Sequence, residues 1–124
     1  MSGEPVPDDV RDLILRHIDS VAQLEALLLL RAHPADAWTA GSTASRLYAP
    51  EGEIVDALAR LCSDGFLVRD QETYRYGCSV EKQERVDRLA EAYSRHLIPV
   101  TNLIHAKPRN IRRFSDAFKF RTDG

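Results

Sequence analysis

Between residues 7 and 18, apolar side chains recur at steps of three and four: Val10, Leu13, Ile14 and Ile18. That spacing lines one face of a helix. Asp8 and Asp9 fall in its first turn, where the helix dipole favours negative charge. Asp19 or Ser20 can cap a second helix over VAQLEALLLLRAH. This segment is apolar nearly all round, which predicts a place at the centre of the core. Arg31, His33 and then Pro34 mark its end. In AWTAGSTASRLYAP, Trp38 is expected as an anchor and Thr39 as the cap of a short helix reaching about Tyr48, with Ala44 and Leu47 turned inward. Gly41 weakens that helix by about 1 kcal/mol relative to alanine. Pro50 suits the first position of the next helix, where no amide is needed. Ile54, Leu58 and Leu61 give this helix a buried stripe, and Gly65 supplies a left-handed stop.

After Gly65 the period changes to two. FLVR and YRYGC are short β-prone runs separated by about four polar residues, DQET, and together they predict a hairpin. Ser79 can cap a final helix from 80 to about 105. Along it Val86, Ala90, Tyr93, Leu97, Val100 and Ile104 alternate steps of four and three, the period of a helix–helix seam. The seam is longer than one small core covers, which predicts a homodimer built through the terminal helices. The competing expectation is that the stripe packs on residues 10–30 of its own chain. Pro99 should kink or split the helix near Arg95–Ile98.

The order of these elements over residues 24–77, LEALLLLRAHPADAWTAGSTASRLYAPEGEIVDALARLCSDGFLVRDQETYRYG, resembles the winged helix-turn-helix superfamily. The stretch IVDALARLCSDGFLVRD before a second strand carries most of the likeness. The flanking helices look like those of MarR- or PadR-type bacterial regulators. The expected fold class is therefore mainly α with a small β-hairpin, a winged helix-turn-helix core with extra N- and C-terminal helices. The expected division is an N-terminal helical extension over 1–23, the core over 24–78, a long dimerisation helix over 79–106 and a basic amphipathic tail over 107–124. The resemblance implies that the helix over 50–64 enters the DNA major groove with Glu51, Glu53, Val55, Asp56, Ala59 and Arg60, while the hairpin wing offers Arg69 and Arg75. Thr39, Ser42, Thr43, Ser45 and Arg46 on the preceding helix are candidate phosphate donors, or simply capping and solvated residues.

Charge complicates that picture. The chain has 124 residues and a net charge of −2. Up to Ala106 there are 11 Lys/Arg and 17 Asp/Glu, whereas residues 107–124 hold 6 Lys/Arg and 2 Asp/Glu. The body is acidic and the tail basic, an asymmetry typical of an interaction tail. DNA affinity comes mostly from Lys and Arg neutralising phosphates, yet the groove-facing surface of the presumed reading helix sets one arginine against three carboxylates. Two readings follow. In one, the protein is a dimeric DNA-binding transcriptional regulator with weak helix-based readout, helped by its tail. In the other, the winged helix has lost DNA binding and its acidic face docks a protein.

The tail KPRNIRRFSDAFKFR, residues 107–121, places Ile111, Phe114 and Phe118 on one face of a helix that Asn110 can cap. The phenylalanines can cover the core. Alternatively Arg109, Arg112 and Arg113 make a phosphate-binding arm, or the segment docks a partner groove, adheres to an anionic membrane surface, or straps the acidic body of its own dimer. An amphipathic helix this short is marginal alone in water and should order only against something.

Enzymatic chemistry is not expected. His17, His33, His96 and His105 are scattered, and no CxxC, HExxH, GxSxG or P-loop occurs. No metal or cofactor is predicted. Cys62 and Cys78 read as packing residues before a redox or metal pair. An effector pocket lined by Trp38, Tyr48 and Tyr93 competes with plain core packing. The start MSGEPVPDDVRD lacks an apolar h-region, and the longest apolar run, Ala26–Leu30, is far short of the roughly 20 residues of a membrane span. A reduced cytoplasmic protein is expected.

Overall fold

The computed structural model describes residues 6–106. Six helices surround one antiparallel hairpin: α1 Asp8–His17, α2 Val21–Ala32, α3 Ala40–Leu47, α4 Glu51–Ser63, β1 Leu67–Asp70, β2 Thr73–Tyr76, α5 Val80–Arg95 and α6 Leu97–Ala106. The α3–turn–α4 unit with its hairpin is the winged helix-turn-helix arrangement, and α1, α5 and α6 are the added terminal helices. No helix among the described residues is long and apolar enough to cross a membrane.

The caps follow from the sequence. The Ser20 hydroxyl accepts the Gln23 amide at 3.0 Å and starts α2. Thr39 and Ser42 form a reciprocal capping box at the start of α3, and Ser79 caps α5 through the Lys82 amide. Pro50 stands one residue earlier than expected. It is the N-cap of α4, with extended backbone and no side-chain cap bond. Gly65 ends α4 at φ +86°, and the bonds Gly65 N–H to Cys62 O and Phe66 N–H to Leu61 O complete a Schellman motif. The same pair of bonds closes α3, Tyr48 N–H to Ser45 O and Ala49 N–H to Ala44 O, but with Tyr48 in the left-handed position at φ 55°.

The hairpin is tighter than the sequence suggests. Asp70 pairs with Thr73, so the loop is Gln71–Glu72 alone. Gln71 takes φ 58°, the place a type II′ turn favours for glycine. Trp38 joins the sheet through an isolated bridge to Tyr74: its N–H donates to the Tyr74 carbonyl at 2.8 Å, and its carbonyl accepts from the Tyr74 N–H at 2.7 Å.

One hydrophobic cluster runs from Val6 to Ile104 and takes residues from every helix and both strands. α2 lies at its centre against α4, while α1 packs on α5 and α6. A boundary at 23/24 cuts the first turn of α2, which begins at Val21. Leu24, Leu27 and Leu30 of α2 and Ile54, Leu58 and Leu61 of α4 are fully buried. The predicted break beside Pro99 falls at His96, which leaves helical geometry at φ −134°. Proline cannot donate to the carbonyl four residues back, and Pro99 is accommodated in the first turn of α6.

Candidate binding face

α4 turns Ile54, Ala57, Leu58 and Leu61 inward. Period 3.6 then leaves Glu51, Glu53, Val55, Asp56 and Ala59 outward, and all five are exposed. The helix starts with two glutamates and no side-chain cap. Beside it stands the wing, with Asp70, Glu72 and Arg75 exposed. Between the start of α3, α4 and the wing lies an open groove of about 420 Å³ lined by Thr39, Gly41, Glu51, Val55, Arg69 and Tyr74. The exposed side of α4 and the tip of the wing make an acidic face.

Arg60 does not belong to that surface. Its Nε donates to Asp64 Oδ2 at 2.8 Å, Nη1 to Asp19 Oδ2 at 2.7 Å and Nη2 to the Arg16 carbonyl at 3.1 Å. The bond to Asp64 raises the Arg60 pKa above its ordinary value, against the effect of burial. Burial pushes the Asp64 carboxyl up, but bonds from Arg60 and from His17 Nδ1, 2.9 Å away, outweigh it and hold its pKa below the ordinary carboxylate value. Lys82 Nζ adds a bond to the Asp64 carbonyl at 2.8 Å. Arg60 is thus a strut joining the ends of α1 and α4, its guanidinium engaged by the chain's own carboxylates and the Arg16 carbonyl. The i, i+4 spacing of Arg60 and Asp64 was the sequence signal for this pair.

Thr43 is also corrected. It is fully buried, and its Oγ1 donates to the Thr39 carbonyl at 2.8 Å. Thr39 and Ser42 are exposed but committed to each other in the capping box. Ser45 and Arg46 are exposed on α3. Arg69 Nε donates to Gln71 O at 2.8 Å and its guanidinium sits 5.4 Å from the Tyr74 ring centre.

The proposed dimer seam divides. Val86, Val100 and Ile104 are fully buried within their own chain, so they are corrected from interface to core. Tyr93 is half-buried and donates to Glu25 Oε2 at 2.9 Å, and Ala90 is half-buried. Leu97, with its neighbour Ile98, remains at the surface. Period 3.5 marks a helix that packs on other helices, and here much of that packing is internal. Arg109, Ile111, Arg112, Arg113, Phe114 and Phe118 lie outside the described residues.

What the sequence reading missed at Tyr48, which it set in a pocket, is its exposure. Tyr48 is 96% exposed, the most exposed large apolar side chain described, and occupies the α3–α4 turn in a conformation that disfavours a bulky residue. Val55 on α4 and Val68 on β1 are 44% and 40% exposed. The usable signal was a helix ending before Pro50 with no glycine or asparagine to end it.

The three aromatics expected around an effector are held at different places. Tyr48 is in solvent, Trp38 pairs with the wing and tilts against His33, and Tyr93 bonds Glu25. Cys62 and Cys78 are half-buried free thiols, and burial pushes the Cys78 thiol up. Among the described residues, no group of three or more His, Cys, Asp or Glu is placed to hold a metal.

No protein-family model matches the sequence, and comparison with curated proteins returns no match. Among solved structures, the chain is similar to a transcriptional regulator from Thermotoga maritima at 16% identity and a TM-score of 0.47, over 93% of this chain and 82% of that one. A likeness of that order carries no argument about what this chain binds.

Proposed function

We propose that the chain is a winged-helix interaction module whose α4–wing face docks a protein with a basic surface. The observation that carries this reading is the charge left exposed on that face. Glu51, Glu53, Asp56, Asp70 and Glu72 point outward, while Arg60 is consumed internally. Seated in a major groove, α4 would bring three carboxylates between two rows of phosphates. A basic protein surface meets the same carboxylates with complementary charge, which speeds encounter and sets orientation. Val55, 44% exposed on the groove wall, adds apolar contact to that face.

A DNA-binding regulator is the second reading, favoured by Ser45 and Arg46 on α3 and Arg75 on the wing, all exposed, and by the six cations of residues 107–124. Fluorescence anisotropy of a labelled mixed-sequence duplex, titrated with full-length protein over a salt series, separates the two. The docking reading expects a Kd no tighter than about 10⁻⁴ M at physiological salt, and tighter non-specific binding when Glu51→Gln, Glu53→Gln and Asp56→Asn are combined. Sub-micromolar binding with a steep salt slope, weakened by Arg46→Ala and Arg75→Ala, would replace it with the regulator reading.

A further inference from the structure

The groove between the start of α3, α4 and the wing is lined by two carboxylates, Glu51 from α4 and Glu72 from the wing loop, and by one guanidinium, that of Arg69. Among the described residues neither carboxylate has a hydrogen-bond or ion-pair partner. The Glu51 carboxylate lies against the first turn of α3: a Cβ added at Gly41 would stand 3.7 Å from its Oε2. The positive end of that helix dipole favours the position. Arg69 is already engaged, its Nε on the Gln71 carbonyl and its guanidinium over the Tyr74 ring. Tyr74 adds a neutral polar group. It is only 6% exposed, it lines the same groove, and its hydroxyl has no partner among the described residues. A phenol so deeply set is ordinarily hydrogen-bonded, and its oxygen can accept as well as donate.

We infer that this groove takes one arginine side chain from the basic surface of a protein partner, with its guanidinium among Glu51, Glu72 and the Tyr74 hydroxyl and its methylene stem along Val55. The inference rests on the docking reading above and names the side chain that the face selects. Charge balance sets the number: two carboxylates against one guanidinium call for one further cation. An anion would meet both carboxylates. Val55, half-open on the groove wall, offers the apolar strip that a methylene stem covers. Arginine suits the site better than lysine, because its planar fork donates to separate acceptors at once, whereas an ammonium is a compact, strongly hydrated point charge. Glu53, Asp56 and Asp70 are exposed outside the groove lining. They steer and orient the partner without choosing the residue.

The test uses the full chain and two acetylated, amidated peptides, Gly-Gly-Arg-Gly-Gly and Gly-Gly-Lys-Gly-Gly, followed by amide NMR at about 20 mM NaCl. The expected result is saturable shift changes confined to residues 39–41, 51–55 and 69–74, with the arginine peptide binding about three-fold more tightly than the lysine peptide. Glu51→Gln/Glu72→Gln should abolish the shifts. Tyr74→Phe should weaken binding about five-fold, and Glu53→Gln/Asp56→Asn should change it by less than about two-fold. Urea midpoints are the folding control, and the exposed pair Glu51→Gln/Glu72→Gln carries the test alone if Tyr74→Phe unfolds the chain. Equal binding of the two peptides, shifts spread over Glu53, Asp56 and Asp70, or no shift from either peptide would each overturn the arginine site. Anisotropy of a fluorescein-labelled octalysine peptide at the same salt then separates the two claims. Octalysine that still binds leaves the docking reading intact, and octalysine that does not bind overturns both.

Discussion

Replacing Arg60 with alanine should weaken the fold and leave the outer face as it was. The guanidinium makes three bonds, to Asp64 at 2.8 Å, to Asp19 at 2.7 Å and to the Arg16 carbonyl at 3.1 Å. A hydrogen bond to a charged group is worth about 1.5–3 kcal/mol when well buried, and an exposed ion pair about 0.2–1 kcal/mol. The Arg60 side chain is 33% exposed and Asp64 19%, between those limits. Two such pairs, discounted for water, give about 2 kcal/mol. For a chain of this size that is a fall in Tm of about 8 °C. Urea unfolding followed by far-UV circular dichroism should show a lower midpoint at unchanged slope. Arg60→Lys should restore less than half, because one ammonium does not fork between two carboxylates. Arg46→Ala, on the exposed flank of α3, is the control and should stay within about 0.5 kcal/mol of wild type. A loss from Arg60→Ala as small as that control would refute the strut and return Arg60 to the surface.

The remaining predictions concern neighbouring parts. Because Asp64 is held below its ordinary pKa, its contribution is present above the unfolded value near 3.8 and is lost as pH falls through the folded one. Asp64→Asn should therefore flatten the acid limb of a Tm-versus-pH curve, and an unchanged limb would discount the network. Gly65→Ala keeps φ +86° and sets a Cβ 2.5 Å from Lys82 Nζ, so the ammonium must leave its bond to the Asp64 carbonyl. The left-handed strain and that lost bond together should cost about 2 kcal/mol in urea unfolding. Tyr48→Asn should do the opposite, gaining about 0.5–1 kcal/mol in urea unfolding by relieving φ 55°. An unchanged or lower midpoint would show that the left-handed backbone is not where α3 loses stability.

Where local periodicity decides structure, the sequence was legible. The stripes of α1 and α4, the caps at Ser20, Thr39 and Ser79 and the stop at Gly65 all depend on residues within one or two turns of one another. The misreadings arise where a local pattern has two outcomes that only distant packing separates. Val86, Val100 and Ile104 fit a partner helix or the chain's own core equally well, and the latter is decided by α1, which lies some 70 residues or more upstream. Arg60 fits a phosphate or a carboxylate, and Asp19, 41 residues away, helps decide it. Thr43 reads as a surface donor until its hydroxyl turns back on the Thr39 carbonyl. The acidity of the candidate face was legible directly, because exposure on α4 follows from the same stripe that fixes its core.

The placement of α1 has a consequence in time. Its buried residues Val10, Leu13 and Ile14 pack on α5 and α6, whereas α2, α3, α4 and the hairpin meet one another over shorter stretches of chain. Closing the longer loop costs more entropy before it returns any contact. The folding nucleus is then expected in α2–α4 with the hairpin, with α1 and α6 joining late. Leu13→Ala should speed unfolding and leave the folding rate nearly unchanged, a φ-value near zero. During synthesis α1 thus emerges ahead of α5 and α6, and its packing waits for them.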